Sequence, residues 1–219
     1  MTSYKHTAAT LAMMRLAPVI PVLTISEVGS GIELARALVS GGLKVLEITL
    51  RTPQALDAIK AICAHVPQAA VGAGTITEPG HIDAAVAAGV TFLVSPGMSA
   101  RLLPAACASP VPFLPGIATA SEAMNLMDHG FRALKFFPAE AAGGVKMLSS
   151  LGGPLGELVF CPTGGIDAAK APSYLAQRNV ACVGGSWMVP ADALAAGDFS
   201  RIEALAREAS QLARLSGMR

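Results

Sequence analysis

The chain has 219 residues, 53% of them apolar and 14% charged, with 16 basic and 15 acidic side chains for a net charge of +1. That composition excludes a disordered chain. Charge spread without a basic patch, and aromatic residues at only 5%, exclude a nucleic-acid partner. The length suits one α/β domain over residues 1–219, since (β/α)8 barrels run to ~200–250 residues.

The first eighteen residues (MTSYKHTAATLAMMRLAP) carry no apolar leader core and no convincing cleavage site, so a cytoplasmic chain with a short N-terminal cap helix is expected. From there, short apolar runs alternate with helical stretches eight times. Strands are expected at 19–24, 45–50, 70–74, 92–95, 113–114, 133–137, 158–161 and 181–183. Helices are expected at 31–40, 53–65, 79–88, 100–108, 121–129, 144–151, 167–177 and 200–215. Thr52 before Pro53, Ser121 and Asp167 read as helix N-caps. Gly89 and Gly130 read as left-handed C-caps. The longest charge-free stretch, Leu102 to Ser121, has enough length for a membrane span. It contains Pro104, Pro110, Pro112 and Pro115, so it does not form one helix, and no membrane association is expected.

Eight strand–helix units fit either a closed barrel or a doubly wound sheet. The count, and the absence of a Gly-x-Gly-x-x-Gly turn after the first strand, favour a single (β/α)8 TIM barrel. Cys63, Cys107, Cys161 and Cys182 form no CxxC pair and read as plain buried thiols. His6, His65, His81 and His129 have no ligand spacing, so no metal site and no cofactor are expected.

Strand periodicity then sorts the polar residues. On the second strand Leu46, Ile48 and Leu50 share one apolar face. Val45, Glu47, Thr49 and Arg51 share the other, which brings a carboxylate and a guanidinium into the interior. On the sixth strand Lys135 and Phe137 share a face opposite Leu134 and Phe136. A lysine in an apolar strand is costly to bury charged. It pairs with Glu47 or snorkels to the rim, or it is an amine kept neutral by burial and a nearby Arg51 for Schiff-base chemistry. Thr163-Gly164-Gly165 after strand seven and Gly184-Gly185-Ser186 after strand eight suit a phosphate site of backbone N–H groups. Gly72-Ala73-Gly74-Thr75 follows strand three. Ser95-Pro96-Gly97 and Leu114-Pro115-Gly116 read as shape-setting turns.

These stretches, LEITLRT (46–52), VGAGT (71–75), SPG (95–97), LKFFPAE (134–140), GGVK (143–146), FCPTGGI (160–166) and GGSWMVP (184–190), resemble the class I aldolases acting on 2-keto-3-deoxy-6-phosphogluconate and 4-hydroxy-2-oxoglutarate. The resemblance implies reversible cleavage of a phosphorylated 2-oxo sugar acid to pyruvate and glyceraldehyde 3-phosphate, a step of the Entner–Doudoroff pathway. It also implies a homotrimer. By position, Lys135 forms the Schiff base and Glu47 transfers protons. Arg51 and Thr75 hold the pyruvyl part, and Gly164, Gly165, Gly185 and Ser186 line the phosphate pocket. Thr163 governs stereochemistry, and Pro96 and Phe137 complete the substrate site. The alternative is the sister aldolase acting on 2-dehydro-3-deoxy-6-phosphogalactonate. A metal-dependent pyruvate aldolase and a non-catalytic phospho-ligand binder are the remoter rivals.

Overall fold

The computed structural model describes residues 4–212. In chain order the elements are α1 (Thr7–Met14), β1 (Val19–Leu23), α2 (Val28–Ser40), β2 (Val45–Thr49), α3 (Ala55–His65), β3 (Ala70–Gly74), α4 (Pro79–Ala87), β4 (Phe92–Val94), α5 (Leu103–Ala108), β5 (Phe113–Leu114) and β6 (Gly116–Ile117). There follow α6 (Ala120–Asp128), β7 (Ala133–Phe136), α7 (Gly144–Gly152), β8 (Val159–Pro162), α8 (Ala171–Leu175), β9 (Val183–Gly185), α9 (Ala191–Ala196) and α10 (Phe199–Ser210). Among the described residues no helix is long and apolar enough to cross a membrane.

Every strand pair is parallel, as expected of strands separated by helical crossovers. One sheet has the order β5-β4-β3-β2-β1-β9 and the other the order β6-β7-β8. Single parallel bridges, Phe160 to Val180 and Thr163 to Gly184, run between the two. The result is a curled parallel α/β sheet in two segments, where the sequence reading expected an unbroken barrel. The break at the fifth strand is chemical: Pro115 has no N–H to give to a ladder. Its carbonyl still accepts from the Lys135 N–H at 2.8 Å. Leu114-Pro115-Gly116 is therefore not a simple turn, because Gly116 and Ile117 resume as a strand in register with Lys135 and Phe136.

Burial follows the strand parity. Leu46, Ile48, Leu134 and Phe136 belong to the large core under the helices. A second, smaller core lies inside the curl, where Val45 and Ala133 meet Ile20, Phe92, Val94, Leu114, Cys161 and Cys182. Met13 and Met14 of α1 enter this inner core, as a cap helix should. Tyr4 anchors that end: its ring stacks on Phe131 at 4.1 Å, and its hydroxyl accepts from the Phe113 N–H at 2.7 Å.

Several local expectations are corrected. The capping residue of α6 is Thr119, whose hydroxyl accepts from Glu122 N–H while Glu122 reaches back to the Thr119 N–H; Ser121 lies inside the helix. Thr52 caps nothing, since its hydroxyl donates to the Ile25 carbonyl and α3 begins later, after Gln54. Asp167 accepts from the N–H groups of Ala169 and Lys170 in a turn ahead of α8. The last strand sits two residues further on than expected, α5 begins at Leu103, and the short helix α9 was not anticipated. The end of the predicted final helix, beyond 212, lies outside the described residues. Gly89 and Gly130 do hold positive φ, at 95° and 90°, where a side chain would be strained.

Candidate active site

Parity on β2 and β7 brings together two residues 88 positions apart. The Lys135 Nζ lies 3.1 Å from Glu47 Oε1 and 3.4 Å from Oε2. Both residues are almost fully buried, at 5% and 4% exposed. Removing two charges from water is expensive, and the contact offsets that cost only in part. Room for the carboxylate comes from Gly74, where any side chain would overlap the Glu47 carboxyl group. The Lys135 Nζ also stands 5.3 Å from the centroid of the Phe137 ring, close enough for a cation–π contact.

The charged side chain bonded to Lys135 is Glu47. The Arg51 guanidinium is instead held at the end of β2. Its Nε donates to the Thr49 hydroxyl at 3.1 Å and its Nη2 to the Thr24 hydroxyl at 2.8 Å. Thr49 passes its own proton to the Leu23 carbonyl at 2.8 Å, so it is free to accept from Arg51.

A cavity of about 350 Å³ opens at this end of the strands. Arg51, Phe137, Thr163, Gly164, Gly165, Gly185 and Ser186 all contribute to its wall, with Thr24, Ile166 and Gly184. Glu47, Lys135, Thr75 and Pro96 are not part of that wall. Phe137 connects the wall to the ion pair, since it stands in the wall and has Lys135 Nζ over its ring. Thr75 follows β3 half-buried with φ at +65°, a conformation that strains a β-branched residue. Pro96 is half-buried with its carbonyl against Gly116, where a side chain would collide with it.

The glycines of the wall have definite conformational reasons. Gly164 and Gly165 adopt φ of 105° and 77°. Gly184 makes way for the Thr163 hydroxyl and Gly185 for the Trp187 ring. The chain thus brings to this end of the strands an amine beside a carboxylate, a fixed guanidinium and a glycine-walled pocket.

The family model described as KDPG and KHG aldolase matches residues 11–205. The chain belongs to that family. It is 54% identical over 192 residues to the 2-dehydro-3-deoxy-phosphogluconate aldolase of Dickeya dadantii, covering 88% of this chain and 90% of that one. It is 49% identical over 215 residues to the KHG/KDPG aldolase of Escherichia coli strain K12, covering 98% and 100%. The KDPG aldolase of Legionella pneumophila, solved with pyruvate captured at low pH as a covalent carbinolamine intermediate, superposes with a TM-score of 0.90. It is 44% identical, over 92% of this chain and 98% of that one.

Within this aldolase the sequence reading missed three things. Thr24 and Thr49 as holders of Arg51 were one signal away: Thr49 shares a strand face with Arg51, and Thr24 ends the neighbouring strand. Gly74 as the space for Glu47 depends on register between strands, which no local pattern carries. The third is a cluster on the far side of the glycine loop. The Glu140 carboxylate accepts from the Tyr174 hydroxyl and pairs with Lys170 Nζ at 2.9 Å. Those bonds, Tyr174 first, hold the Glu140 carboxyl below its ordinary value. Burial and Glu140 together push the Tyr174 hydroxyl up.

Of the thiols, Cys107, Cys161 and Cys182 are buried and Cys63 is only half-buried, and all four are free. Among the described residues no group of three His, Cys, Asp or Glu could hold a metal ion.

Proposed function

We propose that this chain is a class I aldolase cleaving 2-dehydro-3-deoxy-6-phospho-D-gluconate to pyruvate and D-glyceraldehyde 3-phosphate, and that it also splits 4-hydroxy-2-oxoglutarate. The observation that carries the reading is the buried Lys135–Glu47 pair, with Lys135 Nζ over the ring of the cavity-wall residue Phe137. Family membership and the names of the relatives support the substrate.

The chemistry follows from those groups. Glu47 takes a proton from Lys135, and the freed amine adds to C2 of the 2-oxo acid. Glu47 passes that proton to the carbinolamine hydroxyl, which leaves as water, so that a protonated iminium remains beside the ionised Glu47 carboxylate. Glu47 then accepts the C4 hydroxyl proton as the C3–C4 bond breaks and its electron pair moves to the iminium nitrogen. The aldehyde departs, Glu47 returns a proton to C3 of the enamine, and addition of water to the iminium releases pyruvate and restores the Lys135 ammonium beside the Glu47 carboxylate. Arg51 offers a planar fork to the carboxylate, fixing C2 against Lys135. Thr75 and Pro96 flank the pyruvyl part, and Phe137 keeps water out. Thr163 faces the C4 hydroxyl and favours the gluconate over the galactonate epimer. Gly164, Gly165, Gly185 and Ser186 hold the phosphate, whose remote binding energy orients the reacting bond.

The chain acts as one domain across residues 1–219, as a cytoplasmic homotrimer. Its two sheet segments form one closed eight-stranded barrel, with β5 and β6 as halves of a single strand. Residues from every side of the curl meeting in the inner core support closure. The test is incubation with pyruvate, reduction with borohydride and mapping of the added mass. An adduct on Lys135 is expected, and its absence sinks the proposal.

A further inference from the structure

The cluster of Glu140, Lys170 and Tyr174 lies outside the cavity wall, on the opposite side of the loop that follows β8. Three carbonyls of that loop are bound on this side. The Ala139 N–H donates to the Thr163 carbonyl at 2.8 Å and the Glu140 N–H to the Gly164 carbonyl at 3.1 Å. Lys170 Nζ donates to the Gly165 carbonyl at 3.0 Å and simultaneously pairs with Glu140 at 2.9 Å. Tyr174, buried at 1% exposed, gives its hydroxyl proton to the other Glu140 oxygen.

The consequence lies in the planarity of the peptide bond. In a trans peptide the carbonyl of one residue and the N–H of the next point in opposite directions. With the Gly164 and Gly165 carbonyls bound to the Glu140–Lys170 side, the N–H groups of Gly165 and Ile166 are turned the other way, toward the cavity that both residues line. Neither N–H donates to another protein group among the described residues. A glycine pair with positive φ has many alternative conformations, so something must select this one. Glu140 also fills the space beside Gly165, where a side chain would collide with its Cβ and Cγ.

We infer that Glu140 is a positioning residue for phosphate recognition: through Lys170 and Tyr174 it locks the Gly164–Gly165 loop so that its amides face the phosphate of the substrate. This rests on the proposed phosphate end of the site. It assigns Glu140 no contact with substrate and no proton transfer.

The test compares the phosphorylated six-carbon substrate with unphosphorylated 4-hydroxy-2-oxoglutarate in wild type, Glu140→Gln and Lys170→Gln. Lys170 is well exposed, so its replacement does not threaten folding and releases the Gly165 carbonyl directly. Each variant is expected to raise KM for the phosphorylated substrate about tenfold, the scale of one lost charge-assisted hydrogen bond, with kcat within about twofold by the same reasoning. KM for 4-hydroxy-2-oxoglutarate should move far less. Inorganic phosphate should inhibit wild type more strongly than either variant. An equal rise for both substrates, or a fall in kcat without a change in KM, overturns the assignment to Glu140. A wild-type enzyme with no preference for the phosphorylated substrate and no inhibition by phosphate overturns the phosphate site itself.

Discussion

Lys135 Nζ and Glu47 Oε1 stand 3.1 Å apart, and both side chains are buried. On its own this is the geometry of a buried structural ion pair, and replacing one partner would leave the other unpaired at a cost of ~3–5 kcal/mol. The cavity beside Phe137 separates the two roles. Glu47→Gln should still form the borohydride-trapped adduct on Lys135, while kcat falls by about 10²–10⁴, the usual contribution of a positioned acid–base group. Parallel loss of adduct and turnover would reduce Glu47 to a holder of the lysine.

Gly74 carries the second prediction. The β3 backbone there is fixed to β2, with Thr49 in register and the Leu50 N–H bonded to the Gly74 carbonyl at 2.9 Å. An added methyl group has nowhere to go except into the Glu47 carboxylate. Gly74→Ala should therefore lose ~1–3 kcal/mol of stability by overpacking and lose turnover more than pyruvate-adduct formation. Thermal unfolding beside steady-state rates reads both. Wild-type kcat in this variant would show that the carboxylate tolerates displacement.

How much of this was legible beforehand divides along a physical line. The face shared by Glu47 and Arg51, and that shared by Lys135 and Phe137, follow from the two-residue period of a strand, a local rule that a sequence displays. Their meeting in space required only that the two parallel sheet segments curl so that these faces both turn inward. The unanticipated features all depend on register or on loop geometry. Gly74 opens space for a residue on the neighbouring strand. Thr119 outcompetes Ser121 as a cap because Glu122 completes the reciprocal bond. The fifth strand resumes after Pro115 because a proline that cannot donate can still accept. The partners of Glu140, Lys170 and Tyr174, come from a loop and helix beyond the next strand, so no local pattern joins them.

The thiols give a prediction about accessibility. Burial pushes the Cys63 and Cys107 thiols up. The hydrogen bond that the Cys182 thiol donates to Cys161, and then burial, push Cys182 well up. A raised thiol value means less thiolate at a given pH, and the thiolate is the reactive form. Native protein at pH ~8, just under an ordinary thiol value, should alkylate slowly at half-buried Cys63 and leave Cys161 and Cys182 untouched until it is unfolded. Mapping labelled peptides with and without denaturant checks this. Fast labelling of Cys182 in the native protein would show that the inner core opens.

Thr49 offers the sharpest test of how Arg51 is held. Its hydroxyl gives its proton to the Leu23 carbonyl and receives Arg51 Nε, while Thr24 receives Nη2. The guanidinium is itself exposed, so without these two acceptors its long side chain would sample many rotamers and lose that freedom on binding a carboxylate. Thr49→Val keeps the shape and removes the acceptor. KM for the 2-oxo acid should rise by about five- to tenfold, the worth of one hydrogen bond to a charged group, with kcat nearly unchanged. Arg51→Lys, which removes the planar fork, should cost more. A Thr49→Val enzyme with wild-type KM would mean that Thr24 alone orients the guanidinium. The double variant with Thr24→Val would then show the whole effect.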